Sequence, residues 1–313
     1  MAVDMKDAQL LWRIMYQLYY KKLLSYDPKN VVTERGVKLR KAMAPYILKI
    51  LPYFNPYELH IVRKVPVPKD VPIVYTPTHG YKDDVLNTLL TIQDHAYILF
   101  GSLDELFKTF DGLFALIWGS VPVDRDDKLS RLTSVPKMIR PIKFGTNGLV
   151  FPEGAWNLTD NELAMKLFGG FYRIAIAAEA FVVPVITHIE GNKCYSIQEK
   201  YIDVSCFNEE QARNYLRDVF ATYAYELIEL ASNYSHIPRA ELEKEMSLKE
   251  QWELHKAYLK SQPKYYIEEK EKNYPYKDKN IITEEKVFEV LNNIEITTKE
   301  KAKVLAKIKR KAS

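Results

Sequence analysis

Pro77-Thr78-His79-Gly80-Tyr81-Lys82-Asp83-Asp84 stands where an apolar run ends and a helical pattern begins. Val71 to Thr76 reads as a buried strand, and Val85, Leu86, Leu89, Leu90 and Ile92 recur at helical spacing. The stretch is therefore a strand-to-helix junction. Five residues on one helix advance about 500°, roughly 140° round the axis. His79 and Asp84 can meet only if the histidine lies in the loop and the aspartate in the first helical turn. From there the carboxylate can turn back and accept a hydrogen bond from imidazole Nδ1. Nε2 is then left as an acceptor, able to take a proton from a hydroxyl or an amine. A satisfied loop histidine, with Asp83 or Asp84 simply favouring the helix N-terminus, fits the same eight residues.

Working outward, Glu58 to Val65 reads as a strand closed by Pro66 and Pro68, and Ala96 to Phe100 as a buried strand. Leu103 to Ile117 has a helical pattern interrupted around Asp111-Gly112. Pro136 and Pro141 limit any helix in Ser130 to Ile142. Phe171 to Glu179 looks helical, Phe181 to Val185 forms a strand, and Lys193 to Val204 can supply another. From Asn208, an N-cap, Leu216, Val219, Phe220, Tyr223, Leu227 and Leu230 mark a long amphipathic helix that covers one face of the sheet. This alternation predicts an α/β fold with a central mixed β-sheet flanked by helices. A helical segment precedes it over Val37 to Leu51, with Pro45 as its kink.

Three further blocks follow the His79 junction in order. Gly119-Ser120-Val121-Pro122-Val123-Asp124-Arg125 places an arginine after an apolar run; Val150-Phe151-Pro152-Glu153-Gly154 ends a strand; Phe181-Val182-Val183-Pro184-Val185 is the last. Together with H-x-x-x-x-D they resemble the glycerolipid acyltransferase family, of the lysophosphatidic acid acyltransferase (1-acylglycerol-3-phosphate O-acyltransferase) type, over about Leu51 to Thr187. The resemblance implies an O-acyltransferase that moves a fatty acyl group from acyl-CoA or acyl carrier protein to a hydroxyl of a lysophospholipid-like acceptor. His79 would be the general base and Asp84 the residue that orients it. Arg125 would bind acceptor phosphate in the manner of a guanidinium fork, unless it pairs with Asp124, Asp126 or Asp127. Glu153 would accept from a substrate hydroxyl beyond a cis-capable Pro152, unless it caps a helix, and Gly154 would let backbone approach the ligand. Pro184 would shape a strand end beside the acyl site. No metal, no other cofactor and no covalent acyl-enzyme is implied.

The sequence departs from that pattern at informative places. Thr78 stands where the family has asparagine, and Ala155-Trp156-Asn157 where it has threonine, arginine and serine. An indole thus replaces a cation expected near acceptor phosphate, which points to Trp156 as a contact for a bulkier or less charged acceptor.

Composition bounds the rest. With 313 residues, 47% hydrophobic and 27% charged, the chain can bury a full core, and a net charge of +4 carries no nucleic-acid signature. Cys194 and Cys206 give neither metal spacing nor a disulfide framework, so the default setting is a reduced, cytoplasmic one. The N-terminus shows no secretory leader, and the longest apolar run, Gly112 to Val123, falls short of the roughly 20 residues of a spanning helix. A protein of this kind acting on lipid works peripherally, from the inner face of the membrane. Two parts suit such a surface. One is the amphipathic pattern of Asp7 to Tyr26, where Trp12, Tyr16 and Tyr20 accompany Lys21 and Lys22. The other is the basic tail with Lys299, Lys301, Lys303, Lys307, Lys309, Arg310 and Lys311, which is attracted to anionic lipid. Residues 1–56 form a helical N-terminal segment, 57–235 the α/β core and 236–313 a helical, charged C-terminal extension.

Two other functions use the same residues. His79, Asp83, Asp84 and Glu153 could ligate a divalent ion in a metal-dependent hydrolase. Alternatively, the fold could serve a lipid-surface protein without catalysis.

Overall fold

The structure, a computed structural model, describes residues 22–231 except 69, 82, 102, 104, 105, 107–109 and 158–162, together with residue 257. Most of the amphipathic N-terminal pattern and the basic tail lie outside the described residues.

Seven strands form one mixed sheet: β1 (Glu58–Lys64), β2 (Ile73–Pro77), β3 (Ala96–Phe100), β4 (Ser120–Pro122), β5 (Asn147–Leu149), β6 (Phe181–Glu190) and β7 (Lys193–Gln198). Their spatial order is β1-β7-β6-β2-β5-β3-β4. Every neighbouring pair is parallel except β6 with β7, a hairpin whose first corner is Gly191 at φ 61°. The helices are α1 (Pro28–Val31), α2 (Glu34–Ile50), α3 (Asp84–Ile92), α4 (Phe110–Trp118), α5 (Lys128–Lys143), α6 (Gly170–Ala178) and α7 (Glu209–Ala231).

Alternation along the strands divides the core in two. Ile73, Tyr75, Ile98, Leu149, Val183 and Val185 turn to one face, where Ala44 of α2 and Leu89, Leu90 and Ile92 of α3 cover them. Val74, Tyr97, Val150, Val182 and Ile186 turn to the other, under Met138 and Ile142 of α5, Phe171 and Ile174 of α6, and Leu216 and Phe220 of α7. The helix after Asn208 covers the sheet as its spacing predicts. Asn208 Oδ1 accepts from the N–H of Gln211 at 2.9 Å while Asn208 N donates to Gln211 Oε1 at 3.0 Å, a reciprocal cap.

Two expectations need correction. The interruption expected around Asp111-Gly112 adjoins residues 107–109, which lie outside the described residues, and α4 is described from Phe110 onward. α5 continues for 16 residues through Pro136 and Pro141. Each proline removes one backbone hydrogen bond, but Asp127 caps the start by accepting from Leu129 and Ser130, and Met138 and Ile142 anchor the helix in the core. Pro184 lies inside β6, opposite Thr76 near the carboxyl end of β2, and not at an end of its own strand.

Lys137 on α5 is fully buried, and its Nζ has no hydrogen-bond partner among the described residues. Burial pushes its pKa down, with Asp127 opposing. A cation whose folded pKa lies below its free value gains stability as pH rises through that interval. Lys137→Met is expected to raise stability near neutrality by about 1–3 kcal/mol and to remove this alkaline gain. Calorimetric unfolding of both proteins at neutral and alkaline pH checks it.

Candidate active site

The parallel strands deliver the site. His79 follows the carboxyl end of β2 by two residues, Gly101 that of β3 by one, Arg125 that of β4 by three and Glu153 that of β5 by four. Open α/β sheets gather ligand-binding groups along this edge.

His79 lies in the loop and Asp84 opens α3. Nδ1 of His79 is 2.7 Å from Asp84 Oδ2. The same oxygen accepts from the N–H groups of Gly80 at 3.1 Å and Tyr81 at 3.4 Å. The carboxylate is thus folded back over the loop and holds its backbone as well as the ring. The Asp84 side chain is fully buried, whereas that of His79 is 20% exposed. An acceptor at Nδ1 selects the tautomer with the proton there and the lone pair on Nε2. His95 shows the contrasting arrangement of a satisfied core histidine: it is buried, with Nδ1 2.6 Å from Thr146 Oγ1 and Nε2 2.9 Å from the Trp118 carbonyl.

Glu153 supports the loop from below. It is 1% exposed, and Oε1 accepts from His79 N–H at 3.0 Å while Oε2 accepts from Met165 N–H at 2.9 Å. Burial pushes its pKa up to about 7, against the pull of those two N–H groups. The carboxylate thus organises backbone, and its two bonds are not those of a helix cap. Among the described residues there is no cis peptide, so the bond before Pro152 is trans. Gly154 takes φ 73°, which glycine adopts without strain.

Arg125 donates from Nε to the Gly101 carbonyl at 2.9 Å and from Nη1 to the Gly154 carbonyl at 3.1 Å. It therefore joins the loop after β3 to the turn that carries Glu153. Of its acidic neighbours, Asp127 caps α5 and accepts from Tyr26, and Asp124 accepts from Asp126 N–H. Trp156 is 9% exposed, and its ring stands edge-on to His79 with centroids 6.1 Å apart. Phe151 lies 4.4 Å from the same imidazole. Asn157 N–H donates to the His79 carbonyl at 2.6 Å.

The structure therefore gathers His79, Asp84, Arg125, Glu153, Gly154 and Trp156 through short links. It adds Phe151, Gly101, Asn157 and Met165, whose parts were not foreseen. Phe151 stood in the quoted block; Met165 offered no signal, since its contribution is a backbone N–H in a loop. Among the described residues no three His, Cys, Asp or Glu side chains are grouped to hold a metal ion. His79, Asp83, Asp84 and Glu153 do not form such a set.

Residues 58–188, which include every block described above, match the Acyltransferase family. This stretch is an acyltransferase domain. It starts at the head of β1 and stops within β6, so α7 and the chain beyond it lie outside the matched part. No curated protein matches the chain significantly. Among solved structures, the chain is similar to the crystal structure of the 1-acyl-sn-glycerophosphate (LPA) acyltransferase PlsC from Thermotoga maritima. The identity is 18% and the TM-score 0.46, over 71% of this chain and 97% of that one. No described helix is long and apolar enough to cross a membrane.

Proposed function

We propose that the acyltransferase domain transfers a fatty acyl group from acyl-CoA or acyl carrier protein to a hydroxyl of a lysophospholipid-like acceptor, at the inner membrane surface. The observation that carries this reading is the 2.7 Å contact between His79 Nδ1 and a fully buried Asp84 carboxylate, beneath a ring that is part-exposed. His79 Nε2 takes the proton of the acceptor hydroxyl as its oxygen attacks the thioester carbonyl. The tetrahedral oxyanion collapses, the C–S bond breaks, and the imidazolium returns its proton to the leaving thiolate. Asp84 holds the ring and steadies its transient charge.

Arg125 sits beside Gly154, so an acceptor phosphate meeting that guanidinium lies one residue from the Glu153 tether of His79. Glu153 acts as a positioning residue, and Gly154 admits the acceptor close to backbone. Trp156 forms an apolar wall against His79 that favours a bulkier or less charged headgroup than lysophosphatidic acid. Trp156→Arg is expected to shift relative turnover towards lysophosphatidic acid by about tenfold, since one charge-assisted contact contributes about 1.5–3 kcal/mol. Competition between two acceptors in one reaction measures it.

The whole reading is tested by supplying one labelled acyl thioester with a panel of lysolipids and resolving the products by mass. A new ester of the labelled acyl group is expected, with unchanged yield after exhaustive chelation. Release of free fatty acid alone, lost on chelation, would instead point to a metal-dependent hydrolase. No turnover with any acceptor would leave the domain a binding protein.

A further inference from the structure

Tyr81 is a buried titratable group that the acyl transfer written above does not use. Its side chain is 3% exposed and lies outside both main cores, in a small cluster with Ile189 and Cys194 against which Tyr57 and Leu59 pack. The sheet builds this seat where it outruns β2. That strand ends at Pro77, opposite Val185, whereas β6 continues to Glu190 and turns back as β7, with β1 alongside. In the projecting wing Ile189 is paired with Cys194 and Cys194 with Leu59, so the three side chains form one row across β6, β7 and β1. Tyr81 packs on that row. Tyr57 meets its ring edge-on, with centroids 6.1 Å apart, and its hydroxyl is 3.3 Å from Cys194 Sγ.

The backbone of the same residue brackets Asp84. Tyr81 N–H donates to Asp84 Oδ2 at 3.4 Å, and the Tyr81 carbonyl accepts from Asp84 N–H at 3.3 Å. Because Oδ2 is the oxygen that meets His79 Nδ1, a shift of Tyr81 displaces the group that orients the base. The wing also holds the start of the loop: Thr187 N–H donates to Thr78 Oγ1 at 3.2 Å, and Thr78 N–H to the Val185 carbonyl at 3.0 Å. Glu153 reaches the loop at His79 N–H from the β5 side. Since β2 lies between β6 and β5, the loop at its end is held from both flanks. Burial pushes the Tyr81 phenol well up and the Cys194 thiol up to about 12, so both keep their protons at neutral pH. Neither group is then a base or a nucleophile, and their contact is a neutral one that fixes position.

We infer that Tyr81 is a positioning residue for the transfer: its ring, seated on the β1-β7-β6 wing, sets the loop so that Asp84 Oδ2 and His79 Nδ1 meet. This role rests on the reading of His79 as general base. Small displacements matter there, since a reacting group misplaced by about 1 Å costs on the order of a hundredfold in rate.

The test compares the full chain with three variants. Tyr81→Phe removes only the hydroxyl, Tyr81→Leu keeps an apolar side chain but removes the ring, and Phe220→Leu is a control in the other core, under α7. With one labelled thioester, kcat is expected to fall about three- to tenfold in Tyr81→Phe, the span of one neutral hydrogen bond, and about a hundredfold in Tyr81→Leu. KM for both substrates should stay within about twofold of the wild type, as for an interaction that acts on the transition state alone. Phe220→Leu is expected to lower the melting temperature by a few degrees and to keep the wild-type kcat. Labelling histidine with ¹⁵N gives a readout independent of turnover, the His79 signals being assigned by their loss in His79→Ala. At alkaline pH the wild-type ring should show the tautomer protonated at Nδ1. In Tyr81→Leu the signals should move towards the mixed tautomers of a free imidazole, and in Phe220→Leu they should stay in place. Wild-type kcat or wild-type His79 signals in a folded Tyr81→Leu overturn the inference, as does an equal loss of kcat in Phe220→Leu. A rise in KM with kcat kept would make Tyr81 a substrate contact and overturns it too. Should Tyr81→Leu not fold, kcat and the His79 signals of Tyr81→Phe decide in its place. If the wild type transfers to no acceptor, the general-base reading fails, and the His79 signals by themselves decide whether Tyr81 holds the loop.

Discussion

Replacing His79 with alanine, or Asp84 with asparagine, is expected to lower the rate of acyl transfer by about 10²- to 10⁴-fold, the span of lost general-base catalysis. Far-UV circular dichroism should not change. His79→Ala removes the base outright while leaving a part-exposed loop position that accommodates a small side chain. Asp84→Asn acts through the ring. Its amide retains the shape, but either its carbonyl or its NH₂ must take the place of Oδ2, the one oxygen that accepts from His79 Nδ1 and the Gly80 and Tyr81 N–H groups. If the carbonyl stays with the backbone, the NH₂ turns to the buried Oδ1 position and the attraction for the imidazolium is lost. If the NH₂ faces the ring, it donates to Nδ1, the proton moves to Nε2, and the base is gone. Either way the asparagine variant falls short of the wild type. Single-turnover rates with a labelled thioester decide the matter, and wild-type rates in either variant would dispose of the mechanism.

Glu153 carries the second large effect, and its sign depends on pH. Its folded pKa of about 7 lies above the free value of 4.5, so the folded state holds this proton more tightly than the unfolded chain does. Stability from this group is therefore greatest below the free value and declines as pH rises towards 7, by about 3 kcal/mol in all. Glu153→Gln cannot titrate, and its unfolding free energy is expected to lose that part of the slope. Glu153→Ala should destabilise at every pH, by about 2–4 kcal/mol, because it removes at once the acceptor of the His79 and Met165 N–H groups. Urea unfolding at a series of pH values measures both. A wild-type slope in the glutamine variant would mean that another group titrates there. Turnover adds a second readout. A tether lost beneath His79 should lower kcat more than it raises KM, whereas loss of a substrate contact would mainly raise KM.

Much of this molecule follows from local spacing. A strand buried on both faces, a helix repeating at 3.6 residues and a histidine five positions before an aspartate are constraints between near neighbours, and they hold wherever the rest of the chain goes. On that basis the α/β layering, β1, β2, β3, β6, α3, α6 and α7, and the meeting of His79 with Asp84 were all legible. The errors arose where local rules compete with packing. Pro136 and Pro141 argued against α5, yet a capped helix with Met138 and Ile142 in the core outweighs two missing hydrogen bonds. β4, at three residues, is too short to show a period.

The sequence by itself determined which groups could do acid–base chemistry and that they sit at a strand-to-helix turn, because a few covalent bonds limit how far apart they can be. Only the tertiary structure decided that Glu153, 74 residues away, lies under His79, and that Arg125 spans Gly101 and Gly154. Parallel strands are paired through long crossovers, so the order β6-β2-β5-β3-β4, and with it every contact between loops at their carboxyl ends, is set by how whole layers pack and not by any run of neighbouring residues.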